Sequence, residues 1–300
     1  MPNFPYLSQH DWLIYDEHHN PDAQIADTTM ALQDSFVRYL PKLNQTLAET
    51  GQMMANEHSK GQKAKAILHF YPSVRPTILL GAKDKLLANF SEGIEHLIQA
   101  NYTVTLRPHG GLAVVNDEGV INLALVSDNA HFPLSIDEAY EQMVKLIALT
   151  LKPYGLLVEA YEIADSYCPG KYDLVIDGLK IGGIAQRRFK TGLTTAAYLS
   201  INGNQTQRAQ LIQNFYKIGL ADERFPTVNP ASMANIADFL APEEQAKMTV
   251  EQFKQAILAL LAEHSHYTLG DYTAPELQAI YQPRLEQARK RSLSIQPNKD

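Results

Sequence analysis

The Asp177-Gly178 pair constrains the fold most, because it separates two β-rich runs within residues 172–188. Asp-Gly is typical of two-residue type I′ turns, whose central residues both need positive φ. Such a turn sets the pairing of the two strands: Ile176 with Leu179, Val175 with Lys180, and Asp173 with Gly182. Alternation then places a nearly continuous apolar row on the core face and Lys180 on the opposite face. Gly182 leaves room there for a ligand or another backbone, although a solvated face with a bulge glycine explains the same pattern.

Strands and helices are mixed along the first two-thirds of the chain. Helical spacing and capping signals predict helices at residues 27–50, 91–100, 135–152, 206–219, 242–264 and 275–290. Alternating and β-rich runs predict strands at residues 66–71, 77–82, 102–107, 156–164 and 194–201, and a second hairpin formed by residues 112–115 and 120–126. Adjacent strands interspersed with helices indicate an α+β fold, with a mixed, largely antiparallel sheet flanked by helices.

The distribution of Pro and Ala suggests where a domain ends. We predict one domain over residues 1–220, followed by residues 221–300. The second part begins with a linker up to residue 241 and continues as a helical C-terminal segment that packs on the first domain. The basic and polar tail, residues 290–300, is predicted to be disordered.

Composition excludes several classes of protein. A net charge of −7 over 300 residues argues against a general nucleic-acid binder, which needs a basic surface. One cysteine excludes an internal disulfide and a cysteine-based zinc site, and the paired histidines lack a third ligand, so no metal is expected. No run approaches the length of a membrane span and the start lacks a signal-peptide pattern, so we expect a cytoplasmic protein with no membrane partner.

Cys168 lies immediately before a Pro-Gly turn and twelve residues before Lys180. A lone cysteine is most often a small buried hydrophobic residue. Two features favour a reactive thiol instead. Cys168 lies on a polar loop outside the strand pattern, and the following hairpin carries positive charges that favour the nucleophilic thiolate. The residues alone leave both interpretations open.

A second polar loop follows the strand predicted at residues 102–107. It contains Arg107, His109 and the Gly110-Gly111 pair. The glycines allow a tight turn and leave backbone N–H groups free to donate hydrogen bonds. Taken alone, the pattern also fits a plain connection between strands.

Together, the two loops resemble motifs of the lipoate/biotin protein ligase superfamily. The segment "RPHGGLAVVNDEGVINLAL" resembles its Arg-x-x-Gly-Gly loop, and residues 178–188 resemble its Gly-x-Lys-[Ile/Val]-x-Gly-x-Ala-x-x-Arg segment. The cysteine in "CPGKYD" most closely resembles that of the octanoyl-[GcvH]:protein N-octanoyltransferases, where GcvH is the H protein of the glycine cleavage system. The resemblance implies a biotin/lipoate protein ligase-like catalytic domain over residues 1–220.

The resemblance also implies an activity. The enzyme would move an octanoyl or lipoyl group from the lysine of GcvH to the lysine of lipoyl domains on E2 subunits of 2-oxoacid dehydrogenases. Cys168 would carry the acyl group as a thioester. Lys180 would stabilise an oxyanion as an ammonium or accept a proton as a neutral amine, and burial near Arg188 would favour the second role. The substrate-binding residues implied by position are Arg107, His109, Gly110, Gly111, Asp173, Gly182 and Gly183.

Exchange of one amide for another is nearly thermoneutral, so neither ATP nor another cofactor is expected. The chain also departs from the ATP-dependent ligases, because Leu112 replaces their third loop glycine and they lack the cysteine. His109 stands where the superfamily commonly has a small polar residue. Three alternatives stay open: an octanoyltransferase that uses octanoyl-carrier protein, an ATP-dependent lipoate-protein ligase, and a non-catalytic relative that binds lipoyl domains.

Overall fold

The eleven strands of the described residues form an eight-stranded sheet and a three-stranded sheet. The computed structural model describes residues 4–20, 26–53, 62–71 and 75–296. The strands are β1 (Asp11–Asp16), β2 (Lys65–Phe70), β3 (Thr77–Leu80), β4 (Thr103–Leu106), β5 (Val114–Asn116), β6 (Val120–Asp128), β7 (Glu159–Ala160), β8 (Leu174–Ile176), β9 (Leu179–Phe189), β10 (Gly192–Ser200) and β11 (Tyr267–Leu269). The helices are α1 (Pro5–Ser8), α2 (Ala26–Glu49), α3 (Phe90–Gln99), α4 (Ile136–Leu151), α5 (Gln205–Ile218), α6 (Pro242–Gln245), α7 (Val250–His264) and α8 (Pro275–Leu293).

The large sheet is mixed. Its strand order is β11-β1-β2-β6-β10-β9-β8-β7, and all neighbours beyond β2 run antiparallel, whereas β11, β1 and β2 run parallel. The small sheet has the order β4-β3-β5, with one parallel and one antiparallel pair. This arrangement confirms the predicted α+β class with a mixed, largely antiparallel sheet.

Three apolar clusters hold the layers together. The first lies between one face of the large sheet and helices α4 and α7. The second joins the opposite face of the large sheet to the small sheet and to helices α3 and α5. The third packs α2 and α8 against β2 and β6. Both faces of the large sheet are therefore covered by other elements.

Helix boundaries follow the predicted capping signals closely. Ser135 caps α4 through a bond from the N–H of Glu138, whose carboxylate binds the N–H of Ser135 in return. Thr249 caps α7 by accepting a hydrogen bond from the N–H of Gln252. Each cap satisfies backbone N–H groups that the helix itself leaves free, which explains why these starts were visible in the sequence.

The predicted hairpin is present as β8 and β9, and its two pairs nearest the turn are as predicted. The third predicted pair is wrong. Gly182 lies opposite Leu174 instead of Asp173, because a β-bulge leaves Ile181 as an extra residue. The hydrophobic pattern gave no sign of this insertion, since a glycine is compatible with either face.

The bulge leaves Lys180 on its predicted face and brings Gly183, in place of Gly182, onto that face. Ile181 joins the first apolar cluster, whereas Lys180 and Gly183 both lie on the side of the second cluster. A β-carbon built on Gly183 would lie 3.6 Å from Cε of Lys180. Around Lys180 this face is covered by the loop that carries Ser166, Tyr167 and Cys168, so Lys180 is 0% exposed and the alternative of a solvated face is wrong.

The hairpin predicted for residues 112–126 is also wrong. Strand β5 pairs with β3 in the small sheet, and β6 pairs with β2 and β10 in the large sheet. The turn between them therefore carries the chain from one sheet to the other. The turn residues were identified correctly, but the local sequence does not predict which strand each of the two pairs with.

Residues 221–241 are not a linker. Phe225, Val228, Met233 and Ile236 are buried, and the N–H of Ala234 donates to the carbonyl of Lys180 over 3.0 Å. Downstream, β11 extends the large sheet beside β1, and α8 packs along α2. The helical C-terminal segment is thus packed on the rest of the chain as predicted, but no separation is visible at residue 220.

Two further local predictions differ from the structure. Of the strand predicted at residues 156–164, only β7 is paired. The predicted disordered tail continues α8 to Leu293, and Ile295 is buried in the second apolar cluster. Residues 297–300 lie outside the described part of the chain. No helix among the described residues is long and apolar enough to cross a bilayer.

A buried ion pair ties the C-terminal segment to β1. Nζ of Lys254 lies 2.7 Å from Oδ2 of Asp16, and both side chains are 6% exposed. We expect Lys254→Ala to lower the free energy of unfolding by about 3–5 kcal/mol, because it leaves the Asp16 carboxylate buried without its cation. Urea denaturation measures the change. Lys247→Ala, at an exposed position just before α7, is the matched control. Equal stability of the two variants would contradict the expectation.

Candidate active site

The Cys168 thiol lies on the loop between β7 and β8, at the edge of the second apolar cluster. Its sulfur accepts hydrogen bonds from Nη2 of Arg107 and from the N–H of Leu112, each over 3.2 Å. Cys168 has φ of 50°, a left-handed conformation that is uncommon for residues other than glycine. The sulfur is therefore an acceptor for a guanidinium and a backbone N–H, and it lines a cavity instead of packing only among hydrocarbon groups, so the interpretation as an inert core cysteine is not favoured.

The glycine loop shapes the space beside the sulfur. Gly111 has φ of 100°, and a β-carbon there would lie 2.3 Å from Nη2 of Arg107 and 2.9 Å from Sγ of Cys168. Gly81, at the end of β3, packs so closely that a β-carbon would lie 1.8 Å from the carbonyl oxygen of Gly111. Gly110 is exposed, and a β-carbon built on it would have no neighbouring atom within 4 Å. Gly111 and Gly81, rather than Gly110, are therefore the glycines that the close approach requires.

Lys180 holds the loop that carries Cys168. Its ammonium donates to the carbonyls of Cys168 over 2.8 Å and Tyr167 over 3.0 Å, and to the hydroxyl of Ser166 over 3.0 Å. It also lies 2.9 Å from Oδ1 of Asp173. An ammonium has three N–H donors, so these four acceptors saturate it. The structure thus brings Lys180, Asp173 and the Cys168 backbone together, with the ammonium on the backbone side of the loop.

The Asp173 carboxylate completes this arrangement. Burial raises its pKa, and the Lys180 charge opposes that effect. Its second oxygen accepts the N–H of Ile163 over 3.1 Å, which fixes the start of the loop. Asp173 also lines the cavity described below.

Arg188 is not near Lys180, so the expected effect of Arg188 on the amine is wrong. Its guanidinium donates to the carbonyls of Leu134 and Ser135, at the start of α4. The adjacent Arg187 points the other way along the alternating strand. It donates to the carbonyl of Pro108 over 2.8 Å and to Asp34 over 2.6 Å, and so braces the glycine loop.

A cavity of about 230 Å³ opens beside Cys168. Its apolar lining comes from Met30, Leu79, Ile184, Ala185, Ala196 and Ala197. Arg107, His109, Gly110, Gly111 and Gly183 also line it, and their role in substrate binding stays a prediction. Gly182 does not line it, because its α-carbon faces the neighbouring strand and a β-carbon would lie 2.3 Å from the carbonyl oxygen of Tyr198. Small side chains on β9 and β10 are what leave this space empty.

His109 contributes a buried neutral ring to the cavity wall. It is 6% exposed, and its Nε2 has no hydrogen-bond partner among the described residues. Burial, and next the charges of Arg107 and Arg187, lower its pKa to about 3. The ring is therefore uncharged at neutral pH, and one of its nitrogens is available to a bound group.

Sequence reasoning missed several residues that support the site. Burial raises the pKa of Asp84 to about 6, and its carboxylate accepts the N–H of Gly81 over 2.8 Å and the hydroxyl of Tyr216 over 3.0 Å. The hydroxyl of Tyr216 also accepts a hydrogen bond from the N–H of Ala113 over 3.3 Å. Asp84 lies just after β3, three residues beyond Gly81, whereas the sequence around Tyr216 gave no signal. Among the described residues, no group of three or more His, Cys, Asp and Glu side chains is arranged to hold a metal ion.

With the geometry established, comparison with known proteins places the chain in a family. Residues 46–262 match the family described as Lipoyl protein ligase A/B catalytic domain. The chain belongs to this family. The match crosses residue 220, in agreement with the continuous packing across that position.

Relatives refine this placement. The chain is 36% identical over 225 residues to the octanoyl-[GcvH]:protein N-octanoyltransferase of Bacillus velezensis, covering 73% of this chain and 77% of the relative. It is 44% identical over 168 residues to the lipoyl-[GcvH]:protein N-lipoyltransferase of Listeria monocytogenes, covering 55% of this chain and 60% of the relative. These relatives are acyltransferases, and so is this enzyme.

Solved structures share the fold at low sequence identity. Lipoate-protein ligase A bound with ATP superposes with a TM-score of 0.64 at 15% identity, covering 96% of this chain and 99% of that chain. A bipartite lipoate protein ligase of Thermoplasma acidophilum gives a TM-score of 0.61 at 15% identity, covering 97% and 98%. At this identity the comparison confirms the ligase-like fold alone.

The neutral His109 makes a testable contribution to acid sensitivity. Its folded pKa of about 3 lies below the ordinary value, so below roughly pH 6.5 the unfolded chain binds a proton that the folded protein excludes. Above that pH the side chain is neutral in both states and costs no stability. As the pH falls below it, protonation of the unfolded chain lowers the free energy of unfolding by up to about 1.4 kcal/mol per pH unit. We expect His109→Gln to show a shallower loss of stability between about pH 7 and pH 4.5, measured by urea denaturation. Parallel curves for the two proteins would contradict the expectation.

Proposed function

We propose that this enzyme transfers an octanoyl group from the lysine of GcvH to the lysine of lipoyl domains on E2 subunits of 2-oxoacid dehydrogenases, through a thioester on Cys168. Transfer from GcvH is the activity for which its curated relatives are named. The observation that carries the thioester route is the Cys168 sulfur, held at the cavity by Arg107 and by the N–H of Leu112.

The reaction balances as two exchanges at one carbonyl carbon. In the first, the Cys168 thiolate attacks the octanoyl amide of the donor. A carbon–sulfur bond forms, the carbon–nitrogen bond breaks, and the donor lysine leaves as an amine after gaining a proton. In the second, the acceptor lysine attacks as a free amine and gives up one proton, which balances the proton gained by the donor amine; the carbon–sulfur bond breaks, and the thiolate returns. Each step is easier than direct attack of an amine on an amide, and no nucleotide is consumed.

The cavity suits the acyl chain. Its apolar lining and the small residues on β9 and β10 can enclose a straight hydrocarbon tail. Burying roughly seven methylene groups at ~0.8 kcal/mol each contributes about 5 kcal/mol to binding. The Listeria monocytogenes relative is named for lipoyl transfer, which favours the lipoyl group as a second cargo of the same slot.

Lys180 fits a positioning role better than proton transfer. Its ammonium is saturated by acceptors and holds the Cys168 carbonyl, so a proton-accepting amine would first have to give up those bonds. Fixing this carbonyl maintains the strained backbone that presents the sulfur to the cavity.

The thioester is tested by intact mass spectrometry. After incubation with octanoyl-GcvH, or with a small octanoyl thioester, we expect a mass gain of one octanoyl group that neutral hydroxylamine removes. Because an amide donor makes the thioester the uphill species, the small thioester should give the higher occupancy. Cys168 is the only cysteine, so its replacement removes no internal disulfide and Cys168→Ala should retain its fold. The variant should lose both the adduct and the transfer.

Two outcomes would contradict the thioester route. Transfer that persists in Cys168→Ser would show that the sulfur is dispensable. Release of AMP from lipoate, ATP and acceptor would assign the protein to ATP-dependent ligation. Faster acylation by octanoyl-carrier protein than by octanoyl-GcvH would keep the thioester and change the donor.

The positioning role of Lys180 has a separate test. We expect Lys180→Ala to slow Cys168 acylation by the small thioester about 100-fold or more, because the loop loses its anchor and Asp173 is left buried without its cation. The lost anchor also predicts slower alkylation of Cys168 by iodoacetamide. Lys171→Ala, on the same loop but with an exposed side chain, is the control. A normal alkylation rate with abolished acylation would instead make Lys180 a direct participant in catalysis.

A further inference from the structure

Tyr198 contributes a buried hydroxyl to the wall of the cavity. Three side chains that line the cavity carry buried polar atoms without a hydrogen-bond partner among the described residues: Arg107, His109 and Tyr198. Arg107 already contacts the Cys168 sulfur through another of its nitrogens. Tyr198 lies on β10 and is 5% exposed. A hydroxyl buried without an acceptor costs the folded state stability, so we expect a bound group to supply the acceptor.

The missing side chain of Gly183 makes room for the Tyr198 ring at the reaction site. The two residues pair across β10 and β9. A β-carbon built on Gly183 would lie 3.1 Å from Cε1 of Tyr198, the ring atom bonded to the carbon that carries the hydroxyl. The same point lies 3.5 Å from Oδ1 of Asp173 and 3.6 Å from Cε of Lys180. The ring therefore lies among the residues that hold the loop of Cys168, and it also lines the cavity beside the sulfur.

The Tyr198 hydroxyl keeps its proton at neutral pH. Burial, and next the neighbouring Tyr167 and Asp173, raise the pKa of Tyr198 well above its ordinary value. Cys168 raises this pKa as well, and Arg107 opposes the effect. A phenol that stays protonated is a hydrogen-bond donor without charge, so it needs an acceptor rather than a counter-ion.

The acyl group offers a single strong acceptor. An octanoyl-lysine amide consists of a hydrocarbon tail, an N–H donor and a carbonyl oxygen, and of these only the oxygen accepts hydrogen bonds. In the proposed route, the carbonyl carbon would bond to the Cys168 sulfur, so its oxygen would lie in the cavity that Tyr198 lines. Negative charge would develop on this oxygen in both exchanges, and a fixed donor is most effective where charge develops.

We propose that the Tyr198 hydroxyl donates a hydrogen bond to the acyl carbonyl oxygen and stabilises the oxyanion of each exchange, together with Arg107 and the N–H of Leu112. This inference rests on the proposed function, because it assigns a further donor to the same reaction. When the attacking atom bonds to the carbonyl carbon, an electron pair moves onto the oxygen, and it returns when the leaving nitrogen or sulfur departs. Tyr198 keeps its proton throughout and leaves the proton balance unchanged. Lys180 cannot fill this role, because acceptors already occupy its ammonium.

Tyr198→Phe tests the proposal by removing the hydroxyl and keeping the ring. We expect acylation of Cys168 by the small octanoyl thioester to slow about 100-fold, a loss typical of one oxyanion donor. Alkylation by iodoacetamide forms no oxyanion and should keep its rate. The melting temperature should stay equal or rise, because the variant removes a buried hydroxyl that lacks a partner. Tyr272→Phe is the matched control, since its hydroxyl is also buried without a partner among the described residues but lies outside the cavity lining, and both rates should be unchanged.

The infrared carbonyl stretch of the octanoyl thioester on Cys168 gives a measurement independent of rate. It should move to higher frequency in Tyr198→Phe, because loss of a hydrogen bond strengthens the carbon–oxygen bond. Equal acylation rates in variant and unmodified enzyme, or an unshifted stretch, would overturn the role of Tyr198 and leave the thioester route intact. Parallel loss of acylation and alkylation would also overturn it, because Tyr198 would then act on the sulfur. Absence of any adduct on the unmodified enzyme would overturn the proposed function and this role with it.

Discussion

The buried Lys180 ammonium is the interaction on which the site depends. It joins three separate pieces of chain: the loop that presents Cys168, the Asp173 carboxylate at the start of β8, and β9 itself. A lysine without solvent is tolerated only when its donors are matched by acceptors, and here four acceptors surround it. The same saturation that makes its burial possible also removes it from the cavity as a base. The strained backbone of Cys168 is therefore held by an electrostatic anchor behind it and by Arg107 in front.

Local signals in the sequence predicted the elements better than their partners. The capping box at Ser135, the cap at Thr249 and the Asp177-Gly178 turn were correct because each is decided within a few residues. Strand pairing was not local. The turn before β6 leads from one sheet to the other, and the segment assigned to a linker packs along β9. In both cases contacts with elements distant in sequence determined how the segment packs, and the residues next to it in the sequence do not predict those contacts.

At the site too, the sequence predicted which residues belong to it better than how their side chains are arranged. The two motif-bearing loops identified Cys168, Lys180 and the glycine loop, and the structure brings them together. The β-bulge at Ile181 then placed Gly183 on the face of Lys180, where it lines the cavity, and left Gly182 packed on β10. The brace from Arg187 to the glycine loop and the support of Ala113 by Tyr216 depend on contacts between elements far apart in sequence.

Charge around the sulfur explains how one set of donors can serve both steps. Burial lowers the pKa of Arg107, but the neighbouring Cys168 and then Asp84 raise it, so the guanidinium is charged. His109 stays neutral beside it, which avoids adding a second uncompensated cation to the cavity wall. In the proposed route, conversion of Cys168 to a thioester would remove the sulfur acceptor of Arg107 and of the N–H of Leu112. The next negative charge to form in that route would be the oxyanion created by the attacking lysine, and donors already held near the sulfur would stabilise it without reorganisation. In the proposed route, the same two donors thus face the sulfur before acyl transfer and the oxyanion during it.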